Sequence, residues 1–563
     1  MEIDELQLTR ARESRAAIER LYIEMRHVFN SGLYRQLGQP GEVLTQALHT
    51  LSPEIYGSMG NPDKVELDGL VYVIDRLPKG IEQCRYIKLT SEEGYASSSF
   101  ERIVPAARRR NCYRIDDEHM FIEVTRGRSE IYDILTHLTF LYIEADKIMS
   151  HALTEEGTQR VEWTWLESIV QGNVEITEKN REIAFTFLST LLGRSFAKTK
   201  EAWHRMNRET NSGLFKVVYY LGKLAMNEAF SEQEREITFS PTLRDRIGHH
   251  IYGERWASNI KQTLAEFNLL DRPLHIISSN VHSVLNSIYA PAALHRQVPK
   301  KSKILDIVLK MAESEHPEWR SSVKEYAFEH GFHELHDRSG TNITVQIIDT
   351  AKLDLKTLSN ELKVDAQKLE KDPPVILVMD YAFGEQAYET MDELLKPIPS
   401  PQGDKFVRVA SISIMGKAGI LEGGKGDIMI PDAHVFEGTA DNYPFDNDLT
   451  EADFSDIDVK VLGGAMITVL GTSLQNRDVL AYFKNSSWRA IGLEMEGAHY
   501  QKAIQAASKI RKSIERDVVL RYAYYASDNP LETGSTLASG SLGQIGIKPT
   551  YTITRKILEK ILS

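Results

Sequence analysis

The chain has 563 residues, 42% of them hydrophobic, so it exceeds the size at which a single core stops growing, and two or more domains are expected. Acidic residues outnumber basic ones by 80 to 67, and the net charge of −13 argues against a general affinity for DNA, RNA or an anionic membrane. Cys84 and Cys112 are the only cysteines, too few for a disulfide framework or a cysteine-rich metal site, and such usage is typical of a reducing cytosol.

The N-terminal segment MEIDELQLTRARESRAAIER is charged and helix-like, whereas a secretory signal needs an apolar core at this place. No uninterrupted apolar run approaches the length of a membrane span. We therefore expect a cytoplasmic protein whose partners are neither nucleic acids nor membranes.

Residues 1–370 are predicted to form a mainly helical N-terminal region. Apolar residues recur at roughly helical spacing in four segments, residues 3–29, 129–153, 182–206 and 214–230. Strands are predicted between and after these helices, at residues 70–77, 119–127, 274–280 and 342–349. The strands predict a small α/β element embedded in the helical region.

At residues 371–374 the sequence KDPP ends a helix, because proline lacks an amide proton and disfavours helix at its predecessor. Six apolar, β-branched runs then follow: VILVMDYA, VRVASISIMG, GDIMIPDA, VKVLGGAMITVLG, RAIGLEME and DVVLRYAYYASD. Helix-like segments alternate with them. Near-continuous apolar strands indicate a sheet covered on both faces by helices, so residues 371–563 are predicted to form an α/β domain.

In open α/β sheets the ligand lies at the carboxyl ends of the strands. The residues that end these runs are 380–386, 416–419, 494–496 and 527–529. They are therefore the first candidates for chemistry.

Three of these segments are similar in sequence to motifs of a known superfamily. MGKAGILEGGKGDIMIPD, GLEMEGAHY and YASDNP resemble the glycine turn, the methionine–glutamate motif and the Ser-Asp motif of the nucleoside phosphorylase and nucleosidase superfamily, in the same order. SDNPL and SLQNRDVLAYF are similar to AMP nucleosidases, EMEGA to methylthioadenosine and S-adenosylhomocysteine nucleosidases, and FEGTADNY loosely to the phosphorylases. The resemblance implies a three-layer α/β/α domain with a mixed central sheet, acting as a homo-oligomer.

The resemblance also implies the reaction, which is cleavage of a purine N-glycosidic bond. A departing purine leaves positive charge on the ribose and negative charge on the base, and carboxyl groups suit both. Asp528 would be the acid near purine N7, oriented by Ser527. Since a free aspartic acid is ionised at pH 7, this role requires a raised pKa.

The methionine–glutamate motif would hold the sugar. Glu496 would accept hydrogen bonds from the ribose 2′ and 3′ hydroxyls, because an ionised acceptor forms the stronger bonds. Met495 would lie against the sugar, which its polarisable thioether can follow as the ring flattens. Glu494 has a supporting role.

The glycine turn would bring backbone amides close to the ligand through Gly416, Ala418 and Gly419. Lys417 replaces the small residue usual in the family. A lysine there can bind a 5′-phosphate or inorganic phosphate, although a surface lysine is the default interpretation.

Hydrolysis requires an activated water, and phosphorolysis requires bound phosphate. Ile414 stands where related phosphorylases have a phosphate-binding arginine, which favours hydrolysis. Glu385 stands near the water-activating glutamate of the nucleosidases, while a one-residue slip would place Gln386 there, which cannot act as a base. The favoured function is hydrolysis of a purine nucleoside or nucleotide without an organic cofactor. The alternatives are phosphorolysis and a catalytically silent nucleoside sensor.

Other features have plainer interpretations. His434 is interpreted as a structural histidine, and the basic cluster at residues 108–114 as a salt-bridged surface rather than a nucleotide site. SSNVHS, at 278–283, is a faint anion-nest pattern. We find no zinc spacing or GxGxxG, and GGKG lacks the spacing of a P-loop.

Overall fold

The computed structural model describes residues 5–206, 213–299, 302–313, 316–532 and 542–563. The chain divides into two compact units. The N-terminal unit comprises Asp4–His249 and Ser473–Val479, and the C-terminal unit comprises His250–Thr472 and Leu480–Ser563.

The N-terminal unit is mainly helical, as predicted, and contains a six-stranded sheet. Its elements are α1 (Glu5–Ser31), β1 (Leu33–Arg35), α2 (Gln39–Leu51), α3 (Leu67–Ile74), β2 (Tyr86–Thr90), β3 (Glu101–Ile103), β4 (Cys112–Arg114), β5 (His119–Glu123), α4 (Gly127–Ala152), α5 (Val161–Val170), α6 (Arg181–Leu192), α7 (Phe196–Met206), α8 (Gly213–Ser231), β6 (Glu236–Phe239) and α9 (Pro241–Gly248). The strand order is β1-β6-β2-β5-β4-β3. Strand β2 is parallel to both β5 and β6, and the other pairs are antiparallel.

The predicted strand at residues 70–77 is wrong, because this segment lies mostly in α3. The Glu66 side chain caps the helix by accepting hydrogen bonds from the backbone N–H groups of Asp68 and Gly69. Helix α3 is buried on nearly all sides, so its apolar run has no amphipathic period to distinguish it from a buried strand. The strands predicted at residues 119–127, 274–280 and 342–349 are confirmed.

The C-terminal unit is built on a ten-stranded sheet. Its elements are α10 (Ile251–Glu266), β7 (Leu274–Ser278), α11 (Val281–Ala293), α12 (Ile304–Ala312), α13 (Glu318–Glu329), β8 (Phe332–Leu335), β9 (Val345–Asp349), α14 (Ala366–Lys371), β10 (Val375–Met379), α15 (Gln386–Leu394), β11 (Val409–Ile420), β12 (Ile428–Phe436), β13 (Asn442–Pro444), β14 (Val461–Thr468), α16 (Arg477–Asn485), β15 (Gly492–Glu494), α17 (Gly497–Gln505), β16 (Val519–Asp528) and α18 (Ile547–Leu562). A π-helical turn, Ala506–Arg511, continues α17.

The order of nine strands is β13-β12-β14-β15-β11-β7-β10-β9-β8, and the tenth, β16, pairs with β11 and β12. The sheet is mixed, since β11 is parallel to β7 and β16 but antiparallel to β15. One core lies between the sheet and α10, α15 and α17, and a second between the sheet and α11, α12, α13 and α18. The predicted three-layer α/β/α architecture with a mixed central sheet is thus confirmed.

All six strands predicted after residue 371 are present. The reason is burial on both faces, seen most clearly in β10, whose five residues are all buried. The sheet also takes in β7, which lies between β11 and β10. The predicted division at residue 371 therefore falls inside the C-terminal unit, which begins at His250.

Both cysteines are free and buried. Burial raises the thiol pKa of Cys84 to about 12, which keeps it protonated and unreactive at neutral pH. Among the helices that the structure describes, none has the length and apolar character needed to cross a membrane.

Candidate active site

The predicted strand-end segments adjoin around β11. Gly419, near the end of this strand, pairs with Leu493 of β15 on one side and with Asp528 of β16 on the other. The carboxylate motif 494–496 and the motif 527–529 therefore leave the sheet on either side of one strand. Strands β7 and β10 end at the level of Ile414, so β11 extends beyond them.

The expected glycine turn is wrong. Gly416, Lys417, Ala418 and Gly419 all lie within β11, whose ladder with β16 continues to a bulge between Ala418 and Gly419. The segment remains a strand because β16 and β15 continue to pair with it after β7 has ended. A Cβ on Gly416 would lie 3.5 Å from the ring of Tyr381, so this tyrosine borders the space over the strand.

Asp528 is 1% exposed and lies at the end of β16. The Ser527 hydroxyl lies 2.5 Å from Asp528 Oδ1 and 3.1 Å from the carbonyl oxygen of Ala418. Asp528 Oδ2 is buried and has no hydrogen-bond partner among the described residues. Burial raises the pKa of Asp528, although Ser527 and the nearby Lys417 and Lys425 oppose this shift.

That arrangement suits a protonated carboxyl group. The single proton of Ser527 can be donated to only one acceptor at a time. If Oδ1 of Asp528 is protonated, it can donate to Ser527, which then donates to Ala418. If the proton is instead on Oδ2, it faces no protein acceptor among the described residues.

Glu494 is buried, and hydrogen bonds engage both of its carboxylate oxygens. Oε1 accepts from the Thr468 hydroxyl at 2.5 Å, and Oε2 accepts from the backbone N–H groups of Glu496 and Gly497. These N–H groups lie at the N-terminus of α17 and have no acceptor within the helix, so a carboxylate that accepts from them is stabilised. Burial raises the pKa of Glu494 to about 7.

Glu496 is half-buried, and its Oε1 accepts a hydrogen bond from the backbone N–H of Gly384 at 2.9 Å. Gly384 has φ +55°, in the left-handed region that favours glycine. Burial, together with the charge of Glu494, raises the pKa of Glu496 to about 8. This bond joins the loop after β10 to the carboxylate motif.

The two candidates for activating water have different surroundings. Gln386 is 2% exposed, and its amide is engaged at both ends, with Nε2 donating to Thr341 O and Oε1 accepting from Phe383 N. Glu385 is half-buried at the first position before α15, next to Gly384. The engagement of Gln386 favours Glu385 for a role toward a ligand.

Lys417 is exposed, although its neighbours in β11 are buried. Its ammonium group lies near enough to Asp528 to lower the pKa of that carboxyl group. Met495, between the two glutamates, is 9% exposed. The structure therefore places a cation beside the candidate acid and a thioether beside the candidate ribose-binding carboxylate.

The structure also describes the residues that were given plainer interpretations, and the basic cluster is salt-bridged but lies largely buried and not at the surface. His434 is fully buried, its Nε2 lies 3.1 Å from the Tyr524 hydroxyl, and burial lowers its pKa to about 3, so it is neutral. Arg108 and Arg110, in the N-terminal unit, both pair with Asp133. The Asn280 side chain caps α11 through the backbone N–H of His282. Over the ranges that the structure describes, no three His, Cys, Asp or Glu side chains are grouped to hold a metal ion.

Sequence reasoning missed several contributors to the site. Thr468 binds Glu494, and Gly384 binds Glu496. Tyr381 borders Gly416, and Lys425 lies near Asp528. Thr468 had a usable signal, since it is a polar residue at the end of an apolar strand, whereas Gly384 becomes relevant only when the fold brings two distant loops together.

Several solved structures resemble part of the chain. The 5′-methylthioadenosine/S-adenosyl homocysteine nucleosidase of Campylobacter jejuni is 11% identical, with 51% of this chain and 99% of that chain covered and a TM-score of 0.31. Futalosine hydrolase of Helicobacter pylori is 10% identical, with 52% and 97% covered and a TM-score of 0.31. The nucleosidase of Colwellia psychrerythraea, solved with adenine, is 13% identical, with 52% and 98% covered and a TM-score of 0.29.

A comparison with curated proteins gives no match. A family model matches residues 42–308 and 296–563, which together include most of both compact units. The chain therefore belongs to DUF6909, a family of unknown function.

Proposed function

We propose that the C-terminal unit hydrolyses the N-glycosidic bond of a purine nucleoside or nucleotide and releases the free base and a ribose species. The observation that carries this proposal is the state of Asp528. Its carboxyl group is buried, its pKa is raised, and Oδ2 has no hydrogen-bond partner within the described part of the chain. It also lies across β11 from the buried Glu494 and the half-buried Glu496.

Asp528 is the proposed general acid. A purine leaves readily only if a proton or a strong hydrogen bond offsets the negative charge that develops on the ring. Burial favours the protonated acid, and Ser527 holds Oδ1, which leaves Oδ2 to approach N7. Lys417 and Lys425 keep the acid from becoming too weak, because their charges stabilise the carboxylate that remains after proton transfer.

Glu496 is the proposed ribose ligand. Gly384 holds one oxygen, and two ribose hydroxyls would donate hydrogen bonds to the carboxylate. In the unliganded protein the pKa is about 8, so Glu496 is largely protonated at pH 7. Hydroxyl donors and a sugar that gains positive charge both favour the ionised form, and the carboxylate is thus stabilised most in the transition state. Met495 lies between the two glutamates and is proposed to contact the sugar.

Glu494 has a positioning role in this proposal. Its oxygens are engaged by Thr468 and by the first amides of α17, so it fixes the direction in which Glu496 leaves the strand. Glu385 is the proposed base for water, since Gln386 is held by backbone groups. Ile414 offers no charge for phosphate, whereas the exposed Lys417 does, and this lysine supports phosphorolysis as the second candidate.

The test is release of base from AMP, adenosine, methylthioadenosine and inosine by the full chain, with and without inorganic phosphate. Release that does not require phosphate, with free ribose or ribose phosphate as the second product, supports hydrolysis. Strict dependence on phosphate and formation of ribose 1-phosphate would select phosphorolysis. Saturable binding of a nucleoside without turnover would select a sensor and overturn the enzymatic proposal.

We also propose that the active form is a homo-oligomer in which a second copy completes the 5′ end of the substrate site. Light scattering after size exclusion gives the mass of the assembly. Dilution below its dissociation constant should then lower specific activity, and an active monomer would contradict this part of the proposal.

A further inference from the structure

A cavity lies in the C-terminal unit at the end of β11 and β16 opposite to Asp528. Its volume is about 770 Å³, within the range of about 300–1,000 Å³ typical of small-molecule sites. One wall is the start of β11 at Val409, and the other is the segment from Ser508 to Arg516 that leads toward β16. The proposed catalytic residues lie at the other end of these strands.

The lining of this cavity is basic, although the whole chain is acidic. Arg408, Lys509, Lys512 and Arg516 line it, with Glu515 as the only acidic lining residue. Arg408 forms an ion pair with Asp372 at 3.1 Å. Within the ranges that the structure describes, Lys509, Lys512 and Arg516 form no ion pair.

One residue that lines the cavity, Ser513, has a buried hydroxyl group without a partner among the described residues. Ser513 lines the wall and is 4% exposed, and its Oγ has no hydrogen-bond partner among the described residues. By contrast, the hydroxyl of Ser508 on the same wall donates to the carbonyl oxygen of Ile504 at 2.8 Å. A buried polar group without a partner is costly, and a ligand oxygen can supply the missing bond.

The backbone explains why these groups share one wall. The π-helical turn Ala506–Arg511 follows α17 and is ended by Lys512, whose φ of +55° lies in the left-handed region. The backbone N–H of Ser513 donates to the carbonyl oxygen of Ala507, which closes the turn. Lys509, Lys512 and Ser513 therefore come from a single closed turn.

We propose that this cavity binds a small molecule that carries two or more linked phosphate groups. Lysine ammonium groups bind phosphate as point charges, and arginine can bind it with two parallel hydrogen bonds. Three unpaired cations match the charge of a di- or triphosphate better than that of one phosphate. A second cavity of about 600 Å³ shares Lys509 and Arg516 but is also lined by Asp446, Asp448 and Asp517, so the anion is confined to the first cavity.

Calorimetric titration of the full chain with inorganic pyrophosphate, tripolyphosphate and UTP tests this proposal, with orthophosphate as the reference. Tripolyphosphate should bind in a saturable manner and more tightly than orthophosphate. A triple variant, Lys509→Gln/Lys512→Gln/Arg516→Gln, should weaken its binding by about tenfold or more, since charged hydrogen bonds to phosphate are among the strong ones. Ser513→Ala should weaken binding by about threefold, as expected for one hydrogen bond.

The matched control is Arg296→Gln/Lys310→Gln/Lys363→Gln, which removes the same charge from exposed positions elsewhere in this unit. It should change the dissociation constant by less than about twofold. Tighter binding of UTP than of tripolyphosphate would assign a nucleotide, and equal binding would assign the phosphate chain alone. Absence of saturable binding, or an equal loss in both triple variants, would overturn the proposal without bearing on Asp528.

Discussion

Each unit contains a cluster of acidic side chains, and the pKa values of the two clusters are shifted in opposite directions. In the N-terminal unit Asp133 accepts hydrogen bonds from Arg108 and Arg110, and Glu130 pairs with Arg110 and Arg126. Burial alone would raise the pKa of Asp133, but His137 and Arg108 outweigh it and hold that pKa well below its usual range. This cluster is balanced by its own cations.

In the C-terminal unit Glu494, Glu496 and Asp528 are not balanced in this way. No lysine, arginine or histidine of the described residues forms an ion pair with any of them, and burial raises the pKa of all three. A paired buried charge contributes to folding once its cost of desolvation is met. A carboxyl group buried without a counter-charge is instead typical of a functional site. The comparison thus separates a cluster whose charges are balanced from the carboxyl groups that we propose to be catalytic.

Asp528→Asn should have the largest effect on function. Asparagine keeps the shape and the contact with Ser527 but cannot donate an acidic proton, so turnover should fall by about 10²- to 10⁴-fold. Rates of base release measured beside the melting temperature separate chemistry from folding. Asp432→Asn, at an exposed position on β12, is the matched control and should leave the rate unchanged. A normal rate for Asp528→Asn would contradict its role as the acid.

Asp133→Asn should lower stability and leave turnover unchanged, the opposite of the result expected for Asp528→Asn. Removing the negative charge takes the carboxylate partner from Arg108 and leaves Arg110 with Glu130 alone, which should cost about 3–5 kcal/mol of unfolding free energy. Urea unfolding measures this loss, and kcat of the folded fraction should remain at the wild-type level. A large loss of kcat with unchanged stability would remove the distinction between the two clusters.

Glu496→Gln should lower kcat/KM by about 10- to 100-fold, because a neutral amide binds the ribose hydroxyls more weakly and does not stabilise a cationic sugar. Steady-state kinetics with a nucleoside and with its 2′-deoxy analogue give the measurement. The variant should also discriminate less between these two substrates.

Glu494→Gln provides the contrast within the same motif. Glutamine can still accept hydrogen bonds from the N–H groups of Glu496 and Gly497 through its amide oxygen, but that oxygen carries no charge, and its NH₂ replaces the acceptor of the Thr468 hydroxyl. The free energy that stabilises the start of α17 should therefore fall by about 1–3 kcal/mol. Faster hydrogen exchange in α17 would report this loss. If Glu494→Gln left exchange unchanged and impaired ribose recognition as strongly as Glu496→Gln, the assigned division of roles would be wrong.

The sequence allowed most of the C-terminal sheet to be predicted, because strands buried on both faces leave a continuous apolar signature, as in β10 and β16. Residues 70–77 have a similar signature but form a buried helix, since the deciding feature is the capping side chain of Glu66. The expected turn at Gly416 failed for a different reason. Whether a glycine-rich stretch turns or continues as a strand depends on whether neighbouring strands pair with it, here β16 and β15.

For the site, the motif resemblance identified the carboxyl groups but did not predict which hydrogen bonds each of them forms. Glu494 and Glu496 are separated by one residue, and their difference comes from Thr468, 26 residues away, and from Gly384, 112 residues away. Glu494 is engaged at both oxygens, whereas Glu496 accepts a hydrogen bond from Gly384, in the segment 380–386 that was predicted to end a strand but not to make this contact. Long-range contacts of this kind have no local signature in the sequence.

The last prediction is a pH dependence of stability that differs between the two clusters of acidic residues. Glu494 and Glu496 have folded-state pKa values of about 7 and 8, above their values in the unfolded chain, so the folded C-terminal unit binds more protons between about pH 4.5 and 8. Its stability should therefore decrease as pH rises through this window. Asp133 and Glu130 have lowered pKa values, so their contribution is complete above the unfolded-state pKa and is lost only as pH falls below it.

Hydrogen exchange at pH 5.5, 7 and 8.5, corrected for intrinsic rates, reports the two clusters separately. Peptides from β15 and α17 should lose protection as pH rises, while peptides from β4 and from the start of α4, residues 127–137, should not. Glu496→Gln removes the titrating group and should reduce the slope for α17 alone. If protection around both clusters followed pH in the same direction, Glu494 and Glu496 would not have raised pKa values. The proposal that Glu496 is protonated at pH 7 and becomes ionised when a ligand binds would then be wrong.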